Sequence, residues 1–510
     1  MIKYNSTRNN ALSLSGAEAI LQGLSPEGGL LVPDSIPHIG SDGIQSMLKM
    51  SYAERSAYIC SLFLTDYTRE ELLAMTNAAY GAEKFDVNGS IGTQTENFAA
   101  PLYKVKDKTY VCELWHGPTA AFKDIALQML PRFMSAALTK TGAKDDVLIL
   151  VATSGDTGKA ALEGFADVDR CKIQVFYPKD GVSDVQKLQM TSQTGENVGV
   201  SGIIGNFDDA QTGVKNIFGD KEFAKELSAR GVALSSANSI NWGRLLPQIV
   251  YYFSAYCDLV NDGELKLGDK LDFCVPTGNF GNILAGYYAR TMGLPIRRLI
   301  CASNRNDVLT EFFATGVYNR NREFFTTESP SMDILVSSNL ERLLYHELGD
   351  AAAIAELMRQ LSQDGKYTVP DGIMDGIRGI FTGGTYSDEA GREMIADLWY
   401  SEGYLIDTHT AVACGVLREK RAEEAEEFPT VVLSTASPYK FCGAVLSAVT
   451  GGTDFTETDG VALIDALYGK TRVTVPKPLS GLAERGVRFP GVVAAAEMKD
   501  EVRKLAERGE

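Results

Sequence analysis

The sequence predicts an α/β protein built on open parallel sheets, and three observations carry that reading. A short, continuous apolar run of the kind a strand buried on both faces shows occurs at residues 146–151, and strand-like stretches recur at 271–275 and 430–433. Each runs into a loop of small and polar residues, 152–158, 276–282 and 434–441, and the first two loops lead into helical stretches. Strand, loop and helix in that alternation form crossover connections between parallel neighbours.

At 510 residues the chain exceeds one ordinary core, and the length prior is about three to four domains. Apolar residues make up 45% and charged residues 23%, which sets disorder aside for most of the chain. Lys and Arg total 49 against 66 Asp and Glu, and the formal charge of −17 argues against nucleic acid or an anionic membrane as partner. A bound phosphate must therefore be held by local basic side chains and backbone N–H groups. The eight cysteines are dispersed without a close pair and read as reduced core residues. The four histidines never stand four apart, so no metal is expected. No signal-peptide core opens the chain and no window approaches a membrane span, which predicts a cytoplasmic protein with no membrane partner.

In chain order, residues 1–95 read as a separate N-terminal unit. A short helix at 17–24 closed by Gly23, a turn at 25–29, a strand at 30–32 and a break from Pro33 to Pro37 precede a helical pattern from 52 to 80. After the strand at 146–151 come a helix at 159–165 and another strand at 172–177, ended by Pro178. The Gly155 to Ala160 stretch fails as a nucleotide-binding P-loop, because that motif needs glycine where Thr153 stands and a hydroxyl where Ala160 stands. From about 305 to 400 the chain is helix-rich, with a basic cluster at 319–322 and a turn at 329–333, and reads as an insertion. Residues 418–427 read as a solvated acidic helix, 471–475 as a short strand and 492–505 as a closing helix. His409, inside residues 407–410, reads as a structural hydrogen-bonding histidine, with a position in a cleft as the alternative.

The candidate for chemistry is Lys123. Most lysines are solvated surface charges. This one follows Trp115, His116, Gly117, Pro118 and Phe122, and precedes Asp124, which is expected to cap a helix with apolar positions from Ile125 to Leu138. An amine desolvated near a helix N-terminus has its ammonium form disfavoured and can attack an aldehyde, such as pyridoxal 5'-phosphate bound as a Schiff base. On this stretch alone the surface-charge reading still competes. The loop of Gly278, Asn279, Phe280, Gly281 and Asn282, set between a buried strand and a helix, suits a phosphate, since glycines let the backbone approach and successive N–H groups face the anion. All three loops are expected at one sheet edge, where open α/β sheets bind ligands.

Seven segments in order, residues 24–33, 116–124, 152–158, 239–244, 276–282, 407–410 and 434–441, resemble those of the threonine synthase family in its long form. The resemblance covers almost the whole chain. It implies a fold type II pyridoxal-phosphate enzyme that converts O-phospho-L-homoserine and water to L-threonine and phosphate, as a monomer or homodimer. It implies that Lys123 is the Schiff-base lysine, with Phe122 beside the cofactor. Gly278, Asn279, Phe280, Gly281 and Asn282 hold the cofactor phosphate, and Thr435 faces the pyridine nitrogen. Ser154, Gly155, Asp156 and Thr157 meet the amino-acid carboxylate and the ring, with Asp156 standing where the wider fold often has asparagine. His116 and Thr119 are expected on the substrate side, and Asn238, Ser239, Asn241, Arg244 and Lys440 around the substrate phosphate. An interdomain salt bridge is the competing reading of Arg244.

The expected division is 1–95 for the N-terminal unit, 96–130 with 266–460 for a large cofactor domain carrying the insertion, 131–265 for a small mobile domain, and 461–510 packing on the large domain. Two other readings compete. Another fold type II lyase, a serine or threonine dehydratase or a phospholyase, shares the lysine and glycine loop but lacks the second phosphate site. A non-catalytic relative keeping the fold as a binding module is the third.

Overall fold

The computed structural model of the chain describes residues 1–85, 98–153, 155–180, 182–425, 427–455 and 458–508. Its larger sheet has six strands in the order Phe381–Thr385, Ile296–Ser303, Leu271–Pro276, Thr430–Ser434, Thr109–Glu113 and Leu102–Lys106. The first five are parallel, and the last is an antiparallel edge strand. Leu271–Pro276 and Thr430–Ser434 are buried along their whole length, as largely apolar strands covered on both faces are, with the buried Asp272 paired to Arg297. The edge strand carries Lys104 and Lys106 outward, which discourages further pairing.

The smaller sheet is wholly parallel, in the order Val492–Ala494, Val198–Ile204, Cys171–Pro178, Asp146–Ala152 and Val232–Ser235. The helix Trp242–Asn261 is apolar nearly all round and correspondingly buried, packing against the helices Tyr52–Phe63, Lys123–Leu127 and Gly281–Thr291.

At the N-terminus an antiparallel sheet, Asn9–Leu14, Tyr4–Ser6 and Leu31–Pro33, is followed by helices whose starts are written in the sequence. Ser15 with Glu18, Ser51 with Glu54 and Thr68 with Glu71 each close a capping box. This unit is bonded to the rest. Arg55 pairs with Asp258 at 2.6 Å, Arg8 with Glu341 at 2.7 Å, and the buried Arg342 donates to the carbonyls of Leu31 and Ile240.

Several expectations are corrected. The apolar stretch after Lys123 is two helices, Lys123–Leu127 and Leu130–Thr141, broken ahead of Pro131, whose ring disfavours a continuous helix. The strand Phe381–Thr385 falls inside the region expected to be helical. Its Gly383 and Gly384 hide it from hydropathy, and both pack tightly, since added β-carbons would lie 2.9 Å from Thr310 Cα and 2.5 Å from Val416 Cγ1. Residues 471–475 form no strand; Thr471 ends the helix Ala462–Thr471. The last segment does not stay on the large domain. Val492–Ala494 adds to the small sheet, and the helix Met498–Ala506 buries Met498, Val502 and Leu505 in one cluster with Leu148, Leu150 and Phe176. The three loops leave two sheets: the loop after Asp146–Ala152 belongs to the smaller one, the other two to the larger. The expected boundary between residues 95 and 96 lies outside the described residues, as does residue 426 of the expected acidic helix, described as Thr408–Glu423.

Candidate active site

Adjacent strands Leu271–Pro276, Thr430–Ser434 and Thr109–Glu113 end side by side, and their loops build the site. The loop after Thr109–Glu113 is fastened to the chain after Thr430–Ser434. Leu114 N–H donates to the Ser434 carbonyl at 3.0 Å, Phe122 N–H to that of Thr435 at 2.8 Å, and Ser437 N–H to that of Ala120 at 3.1 Å. Ala120 holds φ 58°, left-handed backbone that an L-residue adopts only under constraint. Asp124 does not cap the helix at Lys123. It lies in the first turn and reaches back to accept from Thr119 N at 2.9 Å and Thr119 Oγ1 at 2.7 Å. Burial pushes its carboxyl up to about 6, against the pull of the Thr119 hydrogen bonds. Gly117 has to be glycine here, because a β-carbon would stand 2.6 Å from Asp124 Cβ.

This loop presents Lys123. Its amine is 3.2 Å from Ser331 Oγ and 3.8 Å from Asp156 Oδ2, and lies 5.0 Å from the Phe122 ring centroid. Burial lowers the amine below the usual lysine value, the cations of Arg244 and Lys440 lower it further, and Asp156 opposes them. Asp156 itself is buried, which works to raise its carboxyl, but Lys440 and Lys123 outweigh burial and hold it well below the usual carboxylate range. Lys440 Nζ is 2.9 Å from Asp156 Oδ1, and Gln186 Nε2 donates to the same oxygen at 2.7 Å. Gly155, at φ 154°, leaves room for Gln186, whose Oε1 would be 2.5 Å from a β-carbon there. Thr157 is half-buried in the first turn of Asp156–Phe165. Ser154 lies outside the described residues.

The glycine loop forms an anion cradle. Among the described residues, the N–H groups of residues 278–283 have no acceptor within the protein. Phe280 turns the chain at φ 64° and anchors it by packing against Phe313 and Phe381. The Gly278 and Asn279 carbonyls accept from Ser337 Oγ at 2.7 Å and Asn339 Nδ2 at 2.9 Å, so both point away from the cradle's N–H groups. A β-carbon at Gly278 would lie 2.4 Å from the Ser331 carbonyl oxygen. Asn282 Oδ1 accepts from Tyr251 and Tyr252, which leaves its Nδ2 buried and unpartnered. A buried donor without an acceptor costs about 1–3 kcal/mol, so Asn282 is built for an acceptor the chain does not supply. Thr435 is buried, its carbonyl engaged by Phe122.

The residues expected around a second anion divide. Arg244 is buried, donates one bond to the Ala237 carbonyl at 2.9 Å, and has its Nε unpartnered. Burial pushes its guanidinium down to about 10. It makes no salt bridge among the described residues, so the interdomain ion pair is not what holds it. Asn238 is exposed and Ser239 half-buried beside it. Asn241 is otherwise engaged. Its Oδ1 accepts from Gly243 N as the N-cap of Trp242–Asn261, and its Nδ2 donates to the Ile20 carbonyl at 2.9 Å. Lys440 is likewise fully occupied, by Asp156, by Gln189 Oε1 at 2.6 Å and by the Thr119 carbonyl at 3.3 Å. Thr119 is committed to Asp124. His116 is buried, stacked on Trp115 and bonded to Glu113 at 2.7 Å, with Tyr404 OH on the other Glu113 oxygen at 2.7 Å. These four residues shape the site's walls. Sequence reasoning missed Ser331, Gln186, Gln189 and Glu113, which carry no local motif.

Residues 3–80 match the family model described as threonine synthase N terminus, and residues 410–503 that described as threonine synthase, C-terminal. The chain is 40% identical over 455 residues to the threonine synthase of Pseudomonas aeruginosa, an alignment covering 88% of this chain and 91% of that one. It is 36% identical over 506 residues to the threonine synthase of Schizosaccharomyces pombe, covering 93% and 95%. With the human threonine synthase-like 1 it shares 39% identity over 448 residues, 85% of this chain, but it spans only 58% of that protein's length. Two solved structures are similar throughout. One is a PLP-bound threonine synthase from Brucella melitensis, with TM-score 0.87, 37% identity and coverage of 99% of this chain and 100% of that one. The other is the yeast threonine synthase, with TM-score 0.86, 32% identity and coverage of 99% and 98%.

Proposed function

The chain belongs to the threonine synthase family, and from that premise we propose that it carries pyridoxal 5'-phosphate on Lys123 and converts O-phospho-L-homoserine and water to L-threonine and phosphate. The observation that carries this reading is a depressed amine with two separate anion-binding sets around it, the amide cradle of residues 278–283 with Asn282 Nδ2, and the buried, carboxylate-free guanidinium of Arg244. A cofactor phosphate fits the first set, and a substrate phosphate the second. The PLP-bound relative at 37% identity supports the cofactor assignment.

When bound, the cofactor supplies a conjugated ring that takes up the electron pair left at the substrate's Cα. The rest falls to side chains. Lys123, its amine below the usual lysine value, is the base placed to move the Cα proton and then to serve the neighbouring carbon. Asp156, kept ionised by Lys440 and Gln186, holds a negative charge beside that amine. Thr435 would offer the cofactor's pyridine nitrogen a neutral hydroxyl, which would not enforce its protonation. Arg244 draws the substrate phosphate to its place and favours its departure as an anion. Asn238, Ser239 and Thr157 remain candidates for substrate contact at the rim. Closure of the smaller sheet's domain, residues 131–265 together with the C-terminal strand and helix, excludes water until phosphate has left.

We place the enzyme in the cytoplasm as a monomer or homodimer. All eight cysteines are free, which fits a reducing compartment, and no described helix is long and apolar enough to cross a membrane. The test is product analysis with O-phospho-L-homoserine. Threonine and phosphate in equal amounts are expected; phosphate accompanied by a keto acid would make the protein a lyase instead.

A further inference from the structure

A group of side chains meets the same amine from the far end of the chain. Lys123 Nζ donates to Ser331 Oγ across 208 residues of sequence. Ser331 lies in the tight turn Pro330–Met332, and its backbone N–H donates to Nε2 of His409 at 3.2 Å. A ring nitrogen that accepts a hydrogen bond carries no proton, so His409 is the neutral tautomer protonated on Nδ1. That Nδ1–H donates to Asp407 Oδ2 at 2.7 Å. Asp407 is fully buried and is fixed in turn as the N-cap of Thr408–Glu423, accepting from the N–H groups of His409 and Thr410. Phe441 packs on the imidazole, with ring centroids 4.8 Å apart.

The turn is braced from its other side as well. Thr408 Oγ1 donates to the Glu328 carbonyl at 2.6 Å, and Asn304 Nδ2 reaches Ser329 Oγ at 2.9 Å and Asp333 Oδ1 at 2.8 Å. Its own carbonyl, at Ser331, is the atom that abuts Gly278. One turn therefore bounds both the lysine and the phosphate cradle.

Resting on the reading of Lys123 as the cofactor lysine, we propose that His409 is a positioning residue: with its tautomer fixed by Asp407, it anchors the Ser331 backbone and so holds the Ser331 hydroxyl as the acceptor that aims the Lys123 amine.

The test is competitive amine labelling of the full-length, cofactor-free chain across pH, read by mass spectrometry on the Lys123 peptide, with the exposed Lys225 as internal reference. The charged groups facing the amine are Asp156, Asp124, Lys440 and Arg244, and every variant leaves them in place. Losing the hydroxyl acceptor disfavours the ammonium form, so Ser331→Ala is expected to lower the labelling midpoint by about one pH unit. His409→Leu is expected to lower it equally, the double variant no further, and His409→Gln, whose amide oxygen can accept from Ser331, is expected to keep the original midpoint. Should His409→Leu not fold, His409→Asn, too short to reach, replaces it. A shift with Ser331→Ala but none with the His409 variants overturns the proposal, as do flat midpoints throughout, additive shifts in the double variant, or a His409→Gln chain shifted as far as His409→Leu. No substrate enters the measurement. Midpoint shifts without threonine formation would sink the proposed activity alone, and threonine formation with flat midpoints would sink the positioning role alone.

Discussion

Replacing Lys440 by methionine would separate its part as a charge partner from any contact with substrate. Its side chain is 0% exposed and that of Asp156 3%, and the pair lies at 2.9 Å. Removing one member of such a pair leaves an uncompensated buried charge, at a cost of about 3–5 kcal/mol. Asp156 would keep Gln186 at 2.7 Å and Lys123 at 3.8 Å, which puts Lys440→Met near the lower end, about 3 kcal/mol. Asp156→Asn strands the Lys440 ammonium between two neutral acceptors, Gln189 Oε1 and the Thr119 carbonyl, at a similar cost of about 3 kcal/mol. The double variant removes both charges and should cost no more than either single one, a coupling of about 3 kcal/mol. Urea unfolding of the four chains near neutral pH, without cofactor so that binding does not add to the reading, measures the cycle. If the two single costs simply add in the double variant to within about 0.5 kcal/mol, the pair is not coupled and this account of Asp156 fails.

Three further outcomes are expected. Gly278→Ala drives a β-carbon to 2.4 Å from a backbone oxygen that cannot swing aside, and overpacking of about 1–3 kcal/mol should weaken cofactor binding roughly tenfold to a hundredfold; an unchanged titration of the visible absorbance would contradict this. Asp124 has a folded-state carboxyl raised to about 6, so its contribution to stability is fully present below its unfolded value and is lost as pH rises through about 6. The chain should therefore gain about 3 kcal/mol from this group on acidification from about pH 7.5 to below about 4, a gain that Asp124→Asn abolishes and that unfolding curves against pH would reveal. Arg244→Met should raise KM for O-phospho-L-homoserine about 30-fold through loss of a charged hydrogen bond, with the bound-cofactor spectrum unaltered; an unchanged KM with lowered stability would make Arg244 structural.

The sheets were legible because parallel strands buried on both faces are largely apolar, as Leu271–Pro276 is but for Asp272, which Arg297 pairs, and as the core of Thr430–Ser434 is. Lys123 was legible from its neighbours, since aromatic and turn residues without intervening charge already imply a loop turned inward. What stayed hidden was whether a polar side chain is free. Asn241, Thr119 and Lys440 are the right residue types in the right places, yet Ile20, Asp124 and Asp156 occupy them, and each partner comes from another part of the chain or from local geometry no motif records. Arg244 and Asn282 differ only in having a donor left over. Ser331 reaches Lys123 from the insertion, and His409 holds the Ser331 backbone from the helix that follows it. The C-terminal strand escaped because Val492 and Val493 read equally well as helix, and only the open edge at Val198–Ile204 decides between the two.

The central claim is that Lys123 carries the cofactor and serves the reaction. Borohydride reduction of the purified chain, followed by peptide mass mapping, tests it most directly. A phosphopyridoxyl adduct is expected on the peptide containing Lys123 and on no other, with threonine formation lost in Lys123→Ala. An adduct on another lysine, or a Lys123→Ala chain that still makes threonine, would contradict it.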